Sequence, residues 1–195
     1  MQFTKLEIPD IVLIEPRRLE DARGCFIEVF HEKLFREYVA DVHFVQDNEA
    51  MSTATGTVRG LHFQKPPAAH GKLVRVLSGA VYDVAVDIRH GSPYFGKHVG
   101  LVLDALSGKM LWIPPGFAHG YCTLKTDSTI AYKLTDFYSA EYDAGTAWND
   151  LTLGINWPVD PSNAIISDKD RSLPAFGNLP PLFTYTELIQ AMTDI

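Results

Sequence analysis

Cysteine is scarce in this 195-residue chain. Cys25 and Cys122 stand far apart and outside any C-x-x-C spacing, which argues against a disulfide framework or a thiolate zinc site. A reducing, cytoplasmic home is the expectation. Positive charge is in short supply too: 17 Lys and Arg against 24 Asp and Glu give a net charge of -7, so nothing in the balance attracts nucleic acid or anionic lipid. An anionic ligand would need a local cationic pocket. Long hydrophobic runs are missing as well. The most apolar stretch, residues 73–88, is broken by Arg75, Asp83 and Asp87, and the opening MQFTKLEIPD has no apolar segment behind a basic start. Neither a membrane span nor a signal peptide is expected. Fixed-period repeats, low-complexity tracts and Gly/Ser linkers are also lacking, so residues 1–195 read as one domain.

What the chain does contain is 46% hydrophobic and 21% charged residues, enough to build a sizeable core. Its dominant pattern is that of strands. AVYDVAVDI at 80–88 alternates, with Tyr82, Val84, Val86 and Ile88 on one side and Asp83, Ala85 and Asp87 on the other, which predicts a half-buried strand. HVGLVL (98–103), MLWI (110–113), GYCTLK (120–125) and TIAYKLTD (129–136) follow, bounded by turns such as Gly91-Ser92-Pro93 and Pro114-Pro115-Gly116. Short strands with little helix between them predict an all-β sandwich or barrel. Helical spacing occurs in HEKLFREYVA, where Leu34, Phe35, Tyr38 and Val39 share a face, and again around TELIQAM. The proline-rich stretch from about 157 predicts an irregular tail over the barrel, ending in a short helix.

Four clusters could carry chemistry. In TVRGLHFQ, strand parity would turn Val58, Gly60, His62 and Gln64 inward; a lone His so placed is ordinarily a satisfied core residue. Arg59 has the opposite parity, so either Gly60 marks a bulge or Arg59 faces away. GKLVRVLSG brings Lys72, and TIAYKLTD brings Tyr132, whose bland role is barrel packing. An imidazole, an ammonium and a phenol in one pocket suit removal of a proton next to a carbonyl, stabilisation of the enolate and return of a proton. SDKD offers two carboxylates, Asp168 and Asp170, either of which could orient His62 or simply sit solvated in a capped turn. DARGCFIE and FVQDNEAMS contribute Arg23, Phe26, Glu28, Gln46 and Asn48, and with Arg59 the first of these could clamp a diphosphate.

Two signatures resemble those of the cupin superfamily. Gly108, five residues, Pro114-x-Gly116-x-x-His119 is similar to the second, with Thr123 where Asn is usual; Gly56, five residues, His62-x-Gln64 and then Lys72 before Gly79 is similar to the first, but Gln64 and Lys72 replace two metal ligands. An ammonium there would repel a divalent cation, so His62 and His119 are not read as metal ligands.

Taken in order, DARGCFIE, FVQDN, VRGLHFQ, GKLVRVLSG, YDVAVDIR, GSPYFG, WIPPGFAHGY, AYK, WND, INWP and SDKD closely resemble the dTDP-4-dehydrorhamnose 3,5-epimerase family, from about residue 3 to residue 183. The resemblance implies a cupin-type jelly-roll barrel with a few short helices, needing no metal or cofactor and usually a homodimer. Such proteins epimerise C3 and C5 of a dTDP-linked 4-keto-6-deoxyhexose. It implies His62 as base, paired with Asp170 rather than Asp168, Tyr132 as proton donor and Lys72 as enolate stabiliser. It further implies substrate binding by Arg23, Phe26, Glu28, Gln46, Asn48, Arg59, His119, Tyr138, Asp143 and Lys169, with Arg23 and Glu28 able to serve a partner's site. Departures occur at Glu49-Ala50, where the family often has His-Ser, and at Asp143, where Glu is usual. A single-carbon epimerase, a metal-dependent cupin oxygenase and a non-catalytic sugar-nucleotide-binding cupin are the alternatives.

Overall fold

Alternation of period two carries most of the chain into strands. The computed structural model describes residues 1–185. Along them run β1 (Gln2–Lys5), β2 (Val12–Glu15), β3 (Arg18–Asp21), β4 (Gly24–Ile27), α1 (Glu32–Tyr38), β5 (Gln46–Ser52), β6 (Val58–Gln64) and β7 (Lys72–Ser78). There follow β8 (Ala80–Asp87), β9 (His98–Asp104), β10 (Met110–Ile113), β11 (Phe117–Thr123), β12 (Ser128–Leu134), β13 (Asp143–Gly145) and α2 (Asp168–Arg171). Two antiparallel sheets face each other, one in the order β1-β2-β10-β7-β12-β5 and the other β13-β6-β11-β8-β9. Strands that neighbour each other in space are mostly not consecutive in sequence, which is the jelly-roll arrangement of the cupin barrel. The hairpin β3-β4 stands apart from both sheets. The expected helix around TELIQAM lies outside the described residues.

The space between the sheets divides into two regions. At one end Val74, Val76, Leu111, Ile113 and Ile130 meet Val81, Ala85, Val99, Leu103 and Phe117 in a dry core. Each Val, Leu, Ile or Phe side chain among them contributes about 1.5–3 kcal/mol by leaving water. At the other end the interior turns polar and holds the cavity described below.

Strand β8 is buried on both faces, not on one as the alternation predicts. Its Val81 and Ala85 belong to the interior. Its Val84, Val86 and Tyr82 lie outside the barrel beneath Leu153, Ile155, Trp157, Phe176 and Phe183. The covering tail explains the difference: it shields the outer sheet face and leaves the carboxylate of Asp83 on the inner one. On the outer face of the other sheet, α1 presses Phe35 against Trp112. Tyr38, expected on the same helical face, is 56% exposed and stacks on Phe3 instead.

The predicted parity of β6 is corrected by a bulge. On β11, His119 opposes His62 but Tyr121 opposes Arg59, so β6 carries one extra residue between them. Gly60 sits there with φ +137°, where a Cβ would come within 2.5 Å of the Gly120 Cα; only glycine accepts both the conformation and the approach. Val58 is thereby turned to the outer layer beside Cys122 and Trp148, while Arg59 joins His62 on the cavity wall.

Candidate active site

The polar end of the barrel is a cavity of about 570 Å³ whose wall includes Arg59, His62, Lys72, His119, Tyr121, Tyr132, Lys169 and Asp170. Each arrives on a different support. His62 comes from β6 and Lys72 from the start of β7, and Tyr132 projects from β12 in the facing sheet. Asp170 comes from α2, a single turn capped by Ser167, whose hydroxyl accepts from the Asp170 N–H.

His62 Nε2 lies 2.8 Å from Asp170 Oδ1, and the Gly60 N–H donates to the other oxygen, Oδ2, at 3.1 Å. Since a carboxylate only accepts, Nε2 carries the proton and Nδ1 is left as the basic atom. Asp170 is only 4% exposed, whereas the His62 side chain is 29% exposed and open to the cavity. Burial on its own would raise the Asp170 carboxyl, but the hydrogen bond and charge of His62 and the Gly60 N–H outweigh it and hold it below the usual carboxylate range. Asp168, the other candidate, has a fully exposed side chain. The solvated-turn reading therefore holds for Asp168 and fails for Asp170.

Lys72 Nζ donates to the His62 carbonyl at 3.3 Å. Burial lowers its pKa to about 8, against the pull of Asp83 and Asp143. The Tyr132 phenol is pushed up, chiefly by burial, and Tyr121 is pushed up to about 12 for the same reason. Both stay protonated at neutral pH. Arg59 is steered from β6 by Ser52 Oγ at 3.2 Å and by the Met51 carbonyl at 3.1 Å. A basic imidazole nitrogen, a half-buried ammonium and a protonated phenol around one cavity can shift a proton next to a carbonyl. Among the described residues no group of three His, Cys, Asp or Glu is arranged to hold a metal ion, and no helix is long and apolar enough to cross a membrane.

A family model described as dTDP-4-dehydrorhamnose 3,5-epimerase matches residues 5–178, the span that contains every side chain of this cavity. The chain belongs to that family. A relative of that name from Sinorhizobium fredii is 53% identical over 188 residues, 96% of this chain and 96% of its own. The crystal structure of an epimerase from Legionella pneumophila, in complex with dTDP-4-keto-L-rhamnose, is similar with a TM-score of 0.90 at 39% identity, covering 94% of this chain and 98% of that one. An epimerase from Mycobacterium tuberculosis reaches a TM-score of 0.93 at 32% identity over 100% of this chain and 99% of its own.

The binding positions implied by the epimerase family fall into three groups. Arg59, His119 and Lys169 share the main cavity with the His62 group. Asn48, Tyr138 and Asp143 line a smaller lobe of about 150 Å³, together with His62, Lys72 and Lys169. There Asp143 accepts from the Tyr138 hydroxyl at 3.2 Å and from Lys169 Nζ. Gln46 braces this mouth, donating to Asn48 Oδ1 at 2.9 Å and accepting from the Tyr138 N–H at 3.0 Å. Arg23, Phe26 and Glu28 are not brought to the cavity within one chain. Arg23 sits on the exposed β3-β4 hairpin bonded to Asp21, and Phe26 is 69% exposed. One cavity partner escaped the sequence reading altogether. Asp83 Oδ2 lies 3.0 Å from His119 Nε2; a charge on an otherwise apolar strand was the signal for it.

Proposed function

We infer that this chain is an isomerase that epimerises a dTDP-4-keto-6-deoxyhexose at C3 and C5, converting dTDP-4-dehydro-6-deoxyglucose to dTDP-4-dehydrorhamnose on the way to dTDP-L-rhamnose. The observation that carries the mechanism is the His62–Asp170 pair at 2.8 Å on the wall of a cavity shared with Lys72 and Tyr132. His62 Nδ1 takes the proton from C3, and the bonding pair moves into the C4 carbonyl to give an enolate. Asp170 stabilises the imidazolium that results. The half-buried Lys72 ammonium meets the developing oxyanion on the cavity wall, where its charge is only partly screened. Tyr132 returns a proton to the opposite face of C3; exchange with water then resets base and acid. C5 flanks the same carbonyl and follows the same course. The reaction neither gains nor loses electrons, so it needs no redox partner.

Arg59, His119 and Lys169 hold the diphosphate, while Gln46, Asn48, Tyr138 and Asp143 frame the mouth toward the nucleoside. The enzyme works as a cytoplasmic homodimer, the hairpin carrying Arg23, Phe26 and Glu28 to the partner's cavity. The exposure of Phe26, and the separate surface pocket that Arg23 and Phe26 line, support that reading. Incubation with dTDP-4-keto-6-deoxyglucose in heavy water, with a chelator present, should wash deuterium into C3 and C5. No exchange refutes the proposal, and exchange at one carbon only makes the chain a single-site epimerase.

A further inference from the structure

Gln64 ends β6 where a cupin metal ligand is usual, and the reaction outlined above gives it no part. It is 4% exposed and lines the smaller lobe of the cavity. Its Oε1 accepts from the Ser139 N–H at 2.6 Å, and its Nε2 lies 2.7 Å from the Ala68 carbonyl oxygen and 3.2 Å from that of Phe137. An N–H only donates and a carbonyl only accepts, so these partners fix which end of the amide is oxygen. The third neighbour of Nε2 is His70 Nδ1 at 3.1 Å; facing an NH2, it must accept. Burial, aided by Lys72 and opposed by Asp136 and Asp143, keeps His70 neutral with a pKa of about 4, so the arrangement holds at neutral pH. The amide hydrogens are shared among three protein acceptors, and none remains for a ligand.

What the amide holds is the link 135–142, which crosses from β12 in one sheet to β13 in the other. Phe137 and Tyr138 are both exposed there, so burial of their side chains does not fix the backbone. The Phe137 carbonyl and the Ser139 N–H belong to the two peptides that flank Tyr138. Among the described residues neither has a hydrogen-bond partner other than Gln64. The first of these peptides also donates its N–H, that of Tyr138, to Gln46 Oε1 at 3.0 Å. The far end of the Tyr138 ring is tied by its hydroxyl to Asp143, the residue that opposes Gln64 across β13 and β6.

We propose that Gln64 is a positioning residue for nucleotide binding: it pins the two peptides flanking Tyr138 and so holds that ring at the cavity mouth before the ligand arrives. This deepens the epimerase reading and rests on it, through the place given to Tyr138 at the nucleoside end. An exposed ring on an unpinned link would have to be immobilised on binding. That cost falls on affinity and not on the proton transfers at His62.

The test is Gln64→Leu, which keeps the bulk and removes the amide. Binding of dTDP, measured by calorimetry, should weaken about five-fold, the order expected when one side chain must be ordered on binding. KM should rise by the same factor while kcat stays within about three-fold of the unaltered enzyme. In a Tyr138→Ala background the same change should cost less than about two-fold, because the ring it positions is gone. Unchanged affinity, a fall in kcat at constant KM, or equal losses with and without Tyr138 overturns the proposal. Hydrogen exchange in the unaltered chain decides independently of whether the variants fold. The Ser139 amide should exchange at least about 100-fold more slowly than in an unstructured peptide, and an unslowed rate overturns the pinning. If the unaltered chain neither binds dTDP nor exchanges deuterium into the sugar, the epimerase reading fails; if it does both and Gln64→Leu binds normally, only the role of Gln64 fails.

Discussion

Asp170→Asn changes one atom and should disable the proposed base. The Gly60 N–H is held by Oδ2, so the amide keeps its oxygen there and turns its NH2 toward His62, where Oδ1 now stands at 2.8 Å. An NH2 only donates, so Nε2 must become an acceptor and the ring proton must move to Nδ1. That is the atom assigned to take the substrate proton. The equivalent change in a Ser-His-Asp triad lowers kcat by about 10⁴ through the same wrong tautomer. Here a loss of about 10³–10⁴ is expected, equivalent to about 4–5.5 kcal/mol of barrier. Shape is retained and Asp170 does not line up with the diphosphate donors, so affinity for dTDP should stay within about two-fold. The assay is the rate of deuterium wash-in at C3 and C5, with kcat and KM from product formation and dTDP affinity by calorimetry. A fall in kcat of less than ten-fold would refute the argument that the carboxylate sets the His62 tautomer.

Three further outcomes follow from the same geometry. Activity should decline as pH rises through about 8, because Lys72 loses its charge there; a rate holding level to pH 9.5 would separate Lys72 from enolate stabilisation. The sign for stability is opposite: a lysine whose pKa is depressed on folding destabilises the fold at low pH, and that cost fades between about 8 and the unfolded value of 10.5. Tyr132→Phe should leave His62-driven deuterium exchange measurable while lowering formation of the inverted sugar by about 10²–10³, as expected for loss of a general acid; equal losses of both would count against a donor role. Gly60→Ala combines a positive φ with a 2.5 Å approach to Gly120 and should destabilise by about 4 kcal/mol, a drop of about 12 °C in Tm readable by circular dichroism.

Legibility in the sequence depended on which face of each strand was apolar. MLWI, AVYDVAVDI and TIAYKLTD could be read because apolar side chains mark them, and they form β10, β8 and β12. QDNEAMS forms β5 without an apolar alternation to mark it, because its half-buried positions Gln46, Asn48 and Ala50 face a polar cavity rather than an apolar core. Tyr132 shares the face of Ile130 and Leu134, as period two requires, because β12 is regular along these residues. Arg59 needed the bulge at Gly60, a register change that a count of alternating residues does not reveal.

Local chemistry therefore determined a great deal by itself: the strand and turn pattern, and the presence of Gln64 and Lys72 at the cupin positions where metal ligands are usual. Closure of the barrel decided the rest. Asp170 reaches His62 across 108 positions of chain, and His119 meets Asp83 because β11 and β8 are neighbours in one sheet. The physical reason is that a carboxylate's effect on an imidazole or an ammonium depends on distance and on the water excluded between them. Both are set by how two sheets and a tail fold over one another, and neither is written in any single segment.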